Sequence, residues 1–421
     1  MAKTAAHITL DGERYDLQDK GLTAEVSELK NAVSTIERVI RQDDLSCVQI
    51  SEIVKGGQAD KYFKIGDQIA TRWSPDGMND YDMPWDIVDI APVVNANGVE
   101  VPGLWLQSHW ALPGLQFDAS EALYYTAEGL AAGTYHFTIG TTWGKHCVAG
   151  KAYQFTLSQA VPAGGQICAA NNENFYTWGA PDVTPANWKI YTFSAFSVTP
   201  IEGPVAVTEG SGGTDLGTTT SAIKFSTSTG INNLQRAAYG YNRDSHSAMI
   251  QWLNGDEAAG GWQKQKNPFD RPAQQHATIR GFMAGLPDDF LNAVGSVRIT
   301  TALNTVSDSE IGASETYNVK FFLPSKEQEY CVPQAAGVEG SYWPYWKDRL
   351  GLDSPQRDYG DYANPAHIRY LISNHNSAQH VRLRSCYRGL ASHVWYVSTT
   401  GHVLTGYATT ANAPAPACVI C

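Results

Sequence analysis

Three observations predict an α+β chain, mainly β, for these 421 residues. Charged residues make up only 17% while aromatics reach 11%, with 12 Trp, 21 Tyr and 38 Gly. Low charge with many glycines and rings suits β-rich, interaction-dense proteins. From Ser46 to about Pro204, short runs of alternating apolar and polar residues are separated by Gly, Pro, Asn and Asp. A heptad seam precedes them, and two helical patterns followed by further strands come after. The length leaves room for two or three domains with real cores.

Residues 1–20 form an expected N-terminal attachment segment. Over 21–44, Leu22, Val26, Leu29, Val33, Ile36 and Ile40 step by alternating fours and threes until Asp43 and Asp44 intervene. That spacing predicts a short parallel coiled coil that sets an oligomer, or else one amphipathic helix docked on its own domain. Val26, Val33 and Ile40 opposite Leu22 and Leu29 favour dimers, whereas Ile36 pulls toward trimers. Residues 45–205 predict a β-sandwich, jelly-roll-like, from runs such as CVQISEIV, KIGDQIATRW, AGTYHFTIG, KAYQFTLSQAV and WKIYTFSAFSV. Trp85, Trp105 and Trp110 fit its core, or alternatively an exposed platform. The stretch VTEGSGGTDLGTTT places a linker at 206–220. Residues 221–421 predict an α+β domain. Helices are expected over Ser245–Leu253 and Ala277–Leu286, and a third capped by Asp288 or Asp289; strands follow at SVRITTAL and YNVKFFL.

A formal charge of −12 argues against a nucleic-acid partner. No run of eighteen apolar residues predicts a membrane span. The start MAKTAAHITLDGERYDL lacks the apolar core of a signal peptide, so synthesis in a reducing cytoplasm is expected. Cys47, Cys147, Cys168, Cys331, Cys386, Cys418 and Cys421 have no framework spacing. GxSxG, HExxH, GxGxxG and Walker signatures are missing. SPDGMNDYD lacks the ligand spacing and closing Glu of a calcium loop. His375, His380, His393 and His402 lack carboxylate orienters, and as contact residues they serve as donor and acceptor in one ring. No metal, cofactor or catalytic residue is expected.

The last sixty residues, Tyr362 to Cys421, contain no Asp, Glu or Lys, yet hold four Arg and five of the eleven His. Small and apolar residues there alternate with side chains of mixed chemistry, the composition of a surface built to touch something without the acids of hydrolytic chemistry.

Four stretches carry a resemblance: SAMIQWLNGD, ETYNVKFFLPSKEQEY, VRLRSCYRG, and VWYVSTTGHV followed by APACVI. In this order over half the chain they resemble the variable proteins of diversity-generating retroelements, which have a C-type lectin fold. Arg382 and Cys386 depart from that family's Trp and Pro. The resemblance implies a C-terminal C-type-lectin-fold domain in which mutagenic copying randomises adenines of Asn-type codons, never giving Lys, Glu, Gln, Met or Trp. Trp395 and Gln379 are then fixed.

On a frame of Arg384, Ser385, Val394, Trp395, Val397, Gly401, Val403 and Ala408, the implied variable, ligand-binding positions are Arg388, Leu390, Ser392, His393, Tyr396, Ser398, Thr400, His402, Leu404, Thr405, Tyr407 and Thr409, with His380 and Arg382 upstream. The frame is expected inside and the variable positions outside. The lectin sugar signatures EPN, QPD and WND are missing, so calcium-mediated glycan binding is not expected.

The implied function is a non-catalytic phage receptor-binding or tail-fibre protein, carried on the virion. It presents a hypervariable face to a host cell-surface receptor, protein or glycan. It is a homo-oligomer, by analogy a trimer, joined to other virion proteins through its N-terminus. The alternatives are a structural virion or decoration protein, or an enzyme of the related formylglycine-generating type using Cys386 and Cys418.

Overall fold

The computed structural model describes residues 7–10, 13–16, 26–29, 45–140, 148–171, 188–219, 234–306, 313–359 and 362–421. Strands in several small sheets dominate and the helices are few and short, so the chain is mainly β. Among the described residues no helix is long and apolar enough to cross a membrane. The coiled-coil segment lies largely outside the described residues; within it, 26–29 are helical.

A five-stranded antiparallel sheet organises one half of the structure. Its order is Phe321–Phe322, Ala417–Ile420, Leu104–Ser108, Trp85–Ile90 and Gln68–Ile69. Ala417–Ile420 is buried along its whole length because both sheet faces are covered. On one face Cys418 and Ile420 join Trp85, Ile87, Leu106 and Phe290. On the other, Ala417 and Val419 join Val88, Phe322, Trp343 and Trp346. Trp85 packs against Phe290 and Phe321 with ring centroids 5.2 and 5.9 Å apart. Burying each such ring contributes about 1.5–3 kcal/mol.

A second five-stranded sheet runs Leu115–Gln116, Ala411–Pro414, Val381–Cys386, His393–Val397 and Val403–Tyr407. Val381–Cys386 and Ala411–Pro414 pair in parallel and the remaining neighbours are antiparallel. This sheet carries the acid-free block.

Between these pieces of sequence, two four-stranded sheets form a β-sandwich. One holds Tyr124–Tyr125, Gln166–Asn171, Trp188–Phe193 and Pro200–Ala206; the other holds Thr208–Glu209, Ala152–Leu157, Gly133–Ile139 and Thr214–Thr219. Alternation puts Tyr135, Phe137 and Ile139 inside with Tyr153, Phe155 and Leu157, and Ile167 and Ile190 face them from the other sheet. Phe269 packs with Cys168, Tyr191 and Phe193, fastening the sandwich to the rest. Gln166 adds to this by donating to the carbonyls of Pro268 (2.8 Å) and Asp270 (2.9 Å) while accepting from Arg271 (2.7 Å).

The sandwich expected over 45–205 is therefore shifted in this structure. Residues 45–117 belong with the C-terminal half, and the sandwich strands run from Tyr124 to Thr219. CVQISEIV, expected as a strand, is the helix Cys47–Lys55. Ser46 and Gln49 make a reciprocal capping box, and Cys47, Ile50, Ser51 and Val54 form its buried face. The expected linker supplies two strands of the sandwich. Gly213, at φ +73°, turns the chain tightly against Thr134, so that Thr214–Thr219 pairs in parallel with Gly133–Ile139.

Helix Ala248–Leu253 starts at Ser247, whose side chain accepts from Ile250 N. The helix expected over Ala277–Leu286 reduces to a single 3₁₀ turn, Met283–Gly285. Helix Asp288–Ala293 begins after Pro287 without a side-chain cap; Asp289 accepts instead from Phe290 N.

Candidate ligand-binding face

The site is built on the hairpin His393–Val397 and Val403–Tyr407. Residues opposite each other on antiparallel strands share a face, and the register pairs His393 with Tyr407, Trp395 with Thr405, and Tyr396 with Leu404. At its tip Gly401 stands at φ +82°, and a Cβ there would come 2.1 Å from Asn364 O, so only glycine fits. A chain of buried hydrogen bonds holds the tip from behind. Gln356 donates to Gly401 O at 2.7 Å and contacts His367 at 3.0 Å; His367 contacts Glu329 at 3.1 Å, which accepts from Gln107 at 2.7 Å.

All eight frame residues are buried. Trp395, Val397 and Val403 pack with Leu383 and Cys331. The Lys326 ammonium sits 3.5 Å from the Trp395 ring centroid and 2.6 Å from Asp358. Arg384 donates to Leu323 O, Gln328 and Glu339 O, and Ser385 donates to the Glu339 carboxylate. The SKEQEY turn is buried throughout, so it supports the frame and is no part of a surface.

Over this frame runs a continuous band of rings. Tyr239 stacks on Tyr407 at 3.9 Å, and Tyr407 meets His393 edge-on at 4.7 Å. His393 lies 6.4 Å from Tyr387. Tyr387 and Tyr359 flank Trp395 at 5.7 and 5.6 Å. The Tyr359 hydroxyl bonds Thr405 at 2.8 Å. Tyr407 and Tyr359 are exposed by 39% and 44%. Burial, then the nearby Arg382 charge, holds His393 below its ordinary pKa, and burial raises Tyr239 and Tyr359. The band thus presents neutral, polar-tipped aromatics at neutral pH, chemistry suited to recognition by stacking and hydrogen bonding.

The sequence-derived positions do not form one patch. His393, Thr405 and Tyr407 lie on the band. Tyr396 and Leu404 point to the opposite face, where His380 meets Tyr396 edge-on at 5.3 Å. Thr400 and His402 lie at the tip, their side chains bonded at 2.9 Å. Arg388, Leu390 and Thr409 are half-buried around the base, with Arg388 donating to Leu303 O at 3.1 Å.

Three positions are interior, held by hydrogen bonds within the hairpin and its base. Ser392 is buried beside His393, its hydroxyl 3.1 Å from Nδ1. Ser398 accepts from the backbone of Thr400 and His402. Arg382 spends its guanidinium on the carbonyls of Val394, Gly406, Tyr407 and Thr410, and burial lowers its pKa to about 9.

Sequence reading missed Tyr239, Tyr359 and Tyr387. Tyr387 carried a signal, since it adjoins the frame in the acid-free block; the other two come from distant segments. Asn242 was missed as well. It is buried and donates to the carbonyls of Tyr387 (3.2 Å), Leu390 (2.7 Å) and His393 (2.9 Å), which pins the loop below the band.

The three tryptophans form no platform: Trp85 is in the core, Trp105 packs on Phe322 and Trp343, and Trp110 stacks on His375 at 3.8 Å. Cys386 and Cys418 are buried and in different sheets. Among the described residues no group of three His, Cys, Asp or Glu is placed to hold a metal ion.

Residues 220–421 match a family model described as a domain of unknown function (DUF6273). That segment spans just under half of the chain and includes the whole hairpin. It is not self-contained here, since its strand Ala417–Ile420 pairs on one side with Leu104–Ser108, outside the match. No curated protein and no solved structure matches the chain.

Proposed function

We propose that this chain is a non-catalytic receptor-binding protein of a phage virion, with a C-type-lectin-fold C-terminal half whose hairpin face is diversified to engage a host cell-surface receptor. The observation that carries the reading is a division of labour around the acid-free block: a fully buried frame beneath a band of half-buried and exposed, polar-tipped rings. Exposed positions on such a frame change at a cost within about 0.5 kcal/mol, so the surface varies while the fold persists. Tyr407, Tyr239 and Tyr359 supply rigid contact area, and His393 and Thr405 supply adaptable hydrogen bonds. The N-terminal heptads assemble the chain into an oligomer, by analogy a trimer, that multiplies a modest site by avidity.

Sequencing the DNA around the gene tests the diversified reading. The expected result is a reverse-transcriptase gene beside a near-copy of the codons for residues 380–420, differing only where the copy has adenine. If no such copy is present, the face is a fixed surface, and the structural virion reading takes precedence. Binding of the purified protein to host cells tests the face itself. Alanine at Tyr407 and His393 should weaken attachment at least tenfold, and alanine at Leu404, on the opposite face, should not.

A further inference from the structure

A cavity of about 460 Å³ lies away from this hairpin, in the first half of the chain and the segment around Trp252. Its volume falls in the range of small-molecule sites. Trp73, Trp252, Leu115 and Ile279 make its apolar walls. The two indoles stand edge to face at 6.5 Å, and both are buried. Their N–H groups are already spent, Trp73 on Phe282 O at 3.3 Å and Trp252 on Arg280 O at 3.0 Å, so these walls offer carbon and not donors.

Two charged residues complete the lining, and they are not equivalent. Asp76 accepts from Met78 N (2.8 Å), Asn79 N (2.7 Å) and Asn79 Nδ2 (2.5 Å), and these donors hold its pKa below the usual carboxylate range. It is a turn cap whose charge is internally met. Arg280 is held differently: Nε donates to Pro75 O at 3.0 Å and Nη2 to Ser74 O, which fixes the guanidinium plane. Nη1 makes no hydrogen bond among the described residues and lies 3.8 Å from where a Cβ on Gly77 would stand. A fixed guanidinium edge beside two indole walls is complementary to one anionic oxygen on an apolar body.

We infer that this cavity is a second binding site, for a small aromatic or branched-aliphatic carboxylate whose ring or chain rests against the apolar wall of Trp73, Leu115, Trp252 and Ile279 and whose carboxylate meets Arg280. It is independent of the receptor face.

Titration of the full chain with 3-phenylpropionate and, in parallel, with uncharged 3-phenylpropanol, followed by ligand-observed NMR and calorimetry, tests it. The acid should bind at least tenfold more tightly than the alcohol. Arg280→Met should remove that preference while leaving alcohol binding unchanged. Ala259→Trp, at an exposed lining position, should abolish both by filling the space. Equal affinity for acid and alcohol, binding that survives Ala259→Trp, or no binding of the acid at millimolar concentration would each overturn the assignment. Because Arg280→Met also loosens the Ser74–Pro75 loop, Ala259→Trp provides an independent check on the site's location.

Discussion

Replacing Trp395 by alanine tests whether the frame beneath the ring band is a real core. The indole is 1% exposed and packs with Leu383, Val397 and Val403. Truncating a buried aromatic of this kind costs about 3–5 kcal/mol through lost transfer energy and the cavity left behind. The change also removes the ring beneath the Lys326 ammonium at 3.5 Å, and a desolvated cation–π contact is worth about 2 kcal/mol. The two losses overlap, because the cavity figure already counts some of the ring's contacts, so about 5 kcal/mol is expected. Tyr407→Ala is the comparison. That ring is 39% exposed, and its stack on Tyr239 is worth about 1 kcal/mol. Urea unfolding by circular dichroism gives the loss, and amide exchange at Val394–Val397 assigns it to this sheet. If Trp395→Ala costs less than about 1.5 kcal/mol, or if Tyr407→Ala costs as much as Trp395→Ala, the separation of frame from display surface is wrong.

Asn242→Ala removes the side-chain donor shared by three carbonyls, each of which keeps one backbone partner, and should cost about 1–2 kcal/mol, with faster amide exchange over 387–393 as the specific sign. His276 is buried beside Trp252 and Trp262, and burial pushes its pKa down to about 3. The unfolded chain then takes up the proton first, so stability falls as pH drops from 6.5 toward 3, by on the order of 5 kcal/mol from this group. In His276→Phe the acid limb of a stability–pH curve should flatten. Asp244 runs the other way: burial, only partly offset by its bond from Tyr317 and by Arg384, raises its pKa to about 7. Its folded state holds a proton that the unfolded state loses near pH 4, so stability falls as pH rises from about 4 to 7. Asp244→Asn should therefore be least harmful, relative to the parent, at pH 8 in urea midpoints measured across that range.

The strands Gly133–Ile139, Ala152–Leu157 and Trp188–Phe193 were legible because alternation is a local property. The helix Ala248–Leu253 was legible because helical spacing is local as well. Cys47–Lys55 was misread although its signals were present. Ser46 and Gln49 have capping-box spacing, and Cys47, Ile50 and Val54 step as a helix face does, yet the short apolar run looked equally like a strand. No local pattern announces that Leu104–Ser108 pairs with Ala417–Ile420, so the half-chain around Trp85 was assigned to the wrong neighbour. The frame residues around Trp395 were placed inside correctly on the strength of the resemblance. The band was only half seen, because Tyr239 and Tyr359 reach it through tertiary packing.

The position of Ala417–Ile420 between Phe321–Phe322 and Leu104–Ser108 has a consequence for synthesis. The strands around it wait with unpaired edges until the ribosome has read through the entire hairpin block. A stop or a shifted reading frame anywhere between Val381 and Pro416 removes the strand that joins Leu104–Ser108 to Phe321–Phe322. Such a chain is left with an open sheet edge, the kind of exposed strand on which proteases and aggregation act. The fold thereby proofreads the segment that precedes its own keystone.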